Sequence, residues 1–250
     1  MADWNDPRST RQGFGASQGF TGASVPRTGE VFDAGLRKHM LSIYNYMASG
    51  VLLSGIVAMV FASTGLAYSL MSSGLGIVVM LAPLAIVFAM SFGQGKFSTS
   101  TLQAMFWGFA VLMGMSLSTI FLVYTGASIA ATFFATAGAF AGLSLFGYTT
   151  KKDLSAMGTF LIMGVIGLLV ASVINIFLQS PGLYWAITYL GVLIFAGLTA
   201  YDTQKLKQQY AYVRGTEYAG KAIVMGALSL YLDFINMFLF LLRIMGSARN

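Results

Sequence analysis

The chain has no cysteine, one histidine (His39), four prolines and few charges: only 9% of its 250 residues are Asp, Glu, Lys or Arg, against about 25% in soluble domains. Without cysteine there are no disulfides and no thiolate metal sites. A lone histidine argues against zinc or haem chemistry. The scarcity of charge is local as well as global. No Asp, Glu, Lys or Arg occurs from His39 to Gly95, from Phe97 to Thr150 or from Leu154 to Tyr201. One membrane span takes about 20 residues, so each of these stretches must fold back on itself. Backbone amides in hydrocarbon must be bonded internally, which leaves helices or a closed barrel. Runs such as Val51 to Val60 lack the alternation of a barrel strand. The fold expected is all-α, a polytopic membrane protein.

What charge there is lies outside those stretches. A net charge of +6 suggests nucleic acid in a soluble protein. Here the basic residues fall in an amino-terminal tail and in loops, where they act as topology signals and contacts for lipid headgroups. No nucleic-acid partner is expected. Residues 1–36 are polar and rich in Gly, Ser, Thr and Arg, and lack the apolar core of a cleavable signal peptide. They read as a disordered cytoplasmic tail, followed by a membrane domain over residues 37–250.

Seven apolar runs make up that domain: Ile43 to Ala67, Gly74 to Phe92, Leu102 to Tyr124, Ser128 to Gly147, Leu154 to Leu178, Leu183 to Tyr201 and Ala222 to Ile244. Seven transmembrane helices are expected, with six plus a re-entrant last segment as the alternative, because Asp233 interrupts the final run. Small residues that let helices approach recur at Gly138 and Gly142 and along Gly50, Ser54, Gly55 and Ala58. Loop charge sets orientation. Arg8, Arg11, Arg27, Arg37 and Lys38 precede the first run, and Lys96, Lys151, Lys152, Lys205, Lys207, Arg214 and Lys221 lie in the even loops, whereas the odd loops carry no cation. The amino terminus is therefore expected in the cytoplasm, with Arg243 and Arg249 as the discordant pair. Asp153 reads as an amino-terminal cap of the fifth helix.

Two acids, Asp202 and Asp233, stand in the last two runs. A carboxylate at bilayer depth costs roughly 2.5 to 3.5 kcal/mol, so one that persists there faces a cavity, a partner or an ion route. Thr199, three residues before Asp202, and Asn236, one turn beyond Asp233, share their faces, and Tyr231 lies close by. Counted from Lys221, Asp233 lies about 18 Å deep at 1.5 Å per residue, and Asp202 near the inner surface. The two meet if the seventh helix begins near Met225 or Gly226, outside the hydrocarbon, and the sixth runs on past Lys205 with its lysines reaching back to the interface. Within hydrogen-bond reach, they repel when both are ionised and can share one proton, a pH-sensitive latch. Deprotonated, they form with Asn236, Thr199, backbone carbonyls and water a loose calcium site, since calcium takes six to eight oxygens. No resident cofactor is expected, calcium being at most a transient guest.

At these residues the sequence resembles the Bax inhibitor-1 family, also called TMBIM, in its bacterial YccA-like branch. The likeness runs from about Arg37 to Ile244. Gly197-Leu198-Thr199-Ala200-Tyr201-Asp202-Thr203-Gln204 and Leu230 to Phe238 carry it, with Lys151-Lys152-Asp153-Leu154 in support. The resemblance implies a central last helix wrapped by two triplets. It also implies a bacterial inner-membrane location and a pH-dependent calcium leak governed by an aspartate pair, here Asp202 and Asp233. Some members add an arginine from the second helix, which Gly74 to Phe92 lacks. The bacterial branch is also associated with regulating an ATP-dependent membrane protease, which makes a non-conducting regulator the alternative. An intramembrane aspartyl protease is a remote third reading, since Leu230-Tyr231-Leu232-Asp233 stands where such enzymes need Gly-x-Gly-Asp. The expectation is a non-enzymatic protein.

Overall fold

The computed structural model describes residues 28–249. Its elements in chain order are helices α1 (Thr28–Ser63), α2 (Leu66–Ser72), α3 (Leu75–Gly93), α4 (Thr99–Leu117), α5 (Ile120–Val123), α6 (Gly126–Thr149), α7 (Ser155–Leu178), α8 (Pro181–Val213) and α9 (Tyr218–Met245). Seven segments are long and apolar enough to cross a membrane, one in each expected run. The last of these is a single unbroken helix of 28 residues, about 42 Å at 1.5 Å per residue, so the re-entrant alternative does not hold.

Helix α9 is the most buried of the seven. It packs on α1 and α4 on one side and on α6 and α8 on the other. Helix α3 packs chiefly on α4, and α7 on α8, which completes two triplets around the central helix. The outer helices show why hydropathy alone located them: α7 turns Phe160, Met163, Leu169 and Phe177 outward, all exposed, an apolar face suited to a lipid surround.

Helix α1 extends further back than its apolar run. Leu36, Met40, Ile43, Met47, Val51, Ser54 and Ala58 are all buried, a stripe at helical spacing that carries the helix back to Leu36, one turn beyond which Phe32 packs on Tyr210. Residues 1–27 of the expected tail lie outside the described residues. Helix α8 likewise continues beyond Tyr201 to Val213. At 33 residues it spans about 50 Å, more than the hydrocarbon thickness of about 30 Å. The two overhangs meet: the Tyr210 ring lies 5.3 Å from that of Phe32 and 5.2 Å from that of His39, and the Arg214 guanidinium covers Phe32.

Helix contacts rest on small residues, though not all of those the sequence suggested. A Cβ at Gly114 would come 2.7 Å from the Ser54 carbonyl oxygen, and one at Gly147 would strike the backbone of Ala200, whereas Gly138, Gly142 and Gly55 have open space beside them. The Gly138 to Gly142 repeat is therefore not a packing seam. In the core the Tyr231 hydroxyl meets Ser54 Oγ at 2.7 Å, and Ser54 donates to the Ala110 carbonyl at 2.6 Å. This polar node ties α9, α1 and α4 together. Pro83 sits inside α3 and has no N–H to give the Val79 carbonyl. Ser116 of α4 supplies the missing donor at 3.0 Å.

Candidate functional site

Helices α8 and α9 are consecutive and antiparallel. Asp202 stands eleven residues before the end of α8 at Val213, and Ser229 eleven residues after the start of α9 at Tyr218. With equal rise from a common turn the two are level. The Ser229 hydroxyl donates to Asp202 Oδ2. Asp233 follows Ser229 by four residues, on the same face and about 6 Å deeper. Asp202 is 9% exposed and Asp233 4%. Asp233 Oδ2 is buried without a hydrogen-bond partner among the described residues.

The two carboxylates thus lie along one helix seam, Ser229 level with Asp202 and Asp233 one turn deeper, and no hydrogen bond joins them among the described residues. Neither forms an ion pair there. The Lys205 ammonium sits 5.8 Å over the Tyr201 ring, and Lys207 donates to the Tyr148 carbonyl at 2.7 Å while covering the Tyr148 ring.

The expected supporting groups point elsewhere. Thr199 donates to the Phe195 carbonyl and Asn236 Nδ2 to the Leu232 carbonyl, both at 2.8 Å. Tyr231 is engaged with Ser54. A helical Thr or Asn always has its own i−4 carbonyl in reach, and here that partner wins. Ser229 holds the place that the sequence offered to Thr199.

The four residues from Tyr201 to Gln204 each face a different neighbour, as successive helical residues must. The Tyr201 ring packs on Gly158, Asp202 meets Ser229, and Thr203 Oγ1 lies 3.4 Å from Ser144 Oγ and 3.5 Å from the Tyr44 hydroxyl. Gln204 reaches the turn between α6 and α7, where its Nε2 donates to the Lys152 carbonyl at 2.8 Å and its Oε1 accepts from the Leu154 N–H at 2.9 Å. Two stretches far apart in sequence are thereby one clamp at the basic end of the bundle. In the same turn Asp153 Oδ1 accepts from the Ser155 N–H at 2.9 Å. Donation from the Ser155 side chain and backbone holds its carboxyl below the usual carboxylate range.

A family model described as "Inhibitor of apoptosis-promoting Bax1" matches residues 36–250. The chain belongs to the Bax inhibitor-1 family. Bax inhibitor-1 relatives from several bacteria match most of its length. It is 46% identical over 220 residues to the Escherichia coli inner membrane protein YbhL, covering 86% of this chain and 94% of that protein. An uncharacterised protein of Caulobacter vibrioides is 49% identical over 230 residues, covering 87% and 92%. YrjE of Lactococcus lactis is 41% identical over 218 residues, covering 86% and 92%. The residues that the family model covers include all of the α8–α9 seam.

Proposed function

We propose that this Bax inhibitor-1 protein is a pH-sensitive cation leak pathway, with calcium as the transported ion, gated at the seam that holds Asp202, Ser229 and Asp233. The observation that carries the reading is Asp233: a carboxyl buried in a membrane-spanning helix, one oxygen without a partner among the described residues, one turn from a second acid. When either acid holds a proton, the seam carries one negative charge and can stay closed. When both are ionised, two like charges about one helical turn apart in height repel, which favours separation of α8 from α9 or entry of a cation. The sign follows: leak rises with pH. A calcium ion at this seam meets two carboxylates and a serine hydroxyl and draws its remaining ligands from water, which suits passage better than storage.

The protein resides in the bacterial inner membrane, as the name of its relative YbhL says of that protein. Its basic end is assigned to the cytoplasm, and the amino terminus with it, because cations concentrate on that side of a membrane protein. Calcium flux into dye-loaded liposomes, followed from pH 5 to pH 8, tests the gate. Asp233→Asn is expected to flatten the pH dependence and Asp202→Asn to shift it. Wild-type-like flux and pH response in both variants would sink the reading and favour a non-conducting partner of a membrane protease.

A further inference from the structure

Arg243, like Arg249, departs from the charge asymmetry of the bundle. It stands in the last turn of α9, at the end where the connecting loops carry no cation. A cation there suits the helix dipole, which accounts for the charge but not for its setting. The guanidinium carbon lies 5.6 Å from the ring centroid of Tyr184 and 5.2 Å from that of Phe240. Stacking on aromatic faces fixes the guanidinium plane and leaves its N–H edge available. No carboxylate pairs with it among the described residues.

That guanidinium lines a cavity of about 220 Å³ with Ser172 and Asn175 of α7 and Tyr184 of α8, between walls formed by Ile176 and Ile187. Asn175 Oδ1 accepts from the Ser180 N–H at 3.0 Å. This fixes the amide and leaves Nδ2 as its free donor. Among the described residues the Ser172 and Tyr184 hydroxyls have no protein partner, and no acid lines the cavity. Four residues whose side chains can donate, one of them permanently cationic, therefore line one small, open space. Such a donor set matches an oxyanion. The volume suits a small group rather than a drug-sized ligand, whose sites run from about 300 to 1,000 Å³.

We propose that this cavity binds a phosphate group, supplied either by a phospholipid headgroup or as free inorganic phosphate. The guanidinium edge takes two of its oxygens, and Asn175, Ser172 and Tyr184 address the others. The site is independent of the aspartate seam, which lies toward the opposite end of α8 and α9.

Phosphorus NMR of inorganic phosphate mixed with the full chain in a maltoside detergent tests the proposal. The wild-type chain is expected to broaden the phosphate line saturably, and Arg243→Gln to reduce the excess width at least about fivefold through loss of a charged hydrogen-bond donor. Repeating the titration in phosphatidylglycerol nanodiscs separates the sources. Loss of the broadening there means that headgroup phosphate holds the site, and its retention means a free anion. If Arg243→Gln fails to fold, Tyr184→Phe decides, because it keeps the ring under the guanidinium and removes one donor; its affinity is expected to fall by a factor of about three to ten. No broadening by the wild-type chain in detergent, or equal broadening by wild type and the variants that fold, overturns the proposal.

Discussion

Ser229 shows what a single residue contributes here and why the sequence hides it. In Gly226-Ala227-Leu228-Ser229 it reads as one more small residue on a packing face, whereas Asp202 and Asp233 announce themselves by their cost in an apolar setting. Only counting outward from the α8–α9 turn puts Ser229 level with Asp202, and that count needs the true helix ends. The same residue-scale competition removed Thr199 and Asn236 from the site, since sharing a face with an acid does not outbid a carbonyl of one's own helix. Replacing Ser229 with Ala leaves Asp202 without its donor. The expected outcome is a lower thermal midpoint, a loss of about 1.5–3 kcal/mol for a hydrogen bond to a charged group, together with faster calcium leak at neutral pH in liposomes. An unchanged midpoint would mean that the hydroxyl does not hold the seam.

At the scale of elements, the apolar runs located all seven spans, because hydropathy reports the length of helix that lipid touches. It says nothing of helix beyond lipid. The extensions of α1 and α8 were missed for that reason: their polar overhangs are held by Phe32, His39, Tyr210 and Arg214 acting on one another. Two interruptions were missed for another. Gly65, at a φ of +75°, ends the first run early and starts α2, while Ser118 and Thr119 bond back to carbonyls of α4 and divide it from α5. The α3–α4 contact offers a direct test of element pairing. Ser116→Ala leaves the Val79 carbonyl without a donor in an apolar setting and is expected to cost about 1–3 kcal/mol, read as a drop in thermal midpoint in detergent. Ser116→Thr keeps the hydroxyl and should restore most of it.

The whole molecule is a bundle with one basic end and one nearly uncharged end, and the absence of cysteine makes its orientation simple to read. In intact cells a membrane-impermeant maleimide is expected to label Ser72→Cys, near the uncharged end, and to spare Lys152→Cys until the membrane is opened. The reverse pattern would invert the topology and move the aspartate seam to the other face. Architecture at this scale was legible in the sequence through the resemblance rather than through spacing, because no periodicity states which of seven apolar helices is central. The proline in α3 carries one more implication, for biogenesis. A lone third helix released into lipid would expose a carbonyl that its own chain cannot satisfy, at a cost of several kcal/mol. Its partner bearing Ser116 follows after only a short turn. That contact favours joint insertion of the two segments as a hairpin over release of the earlier one alone.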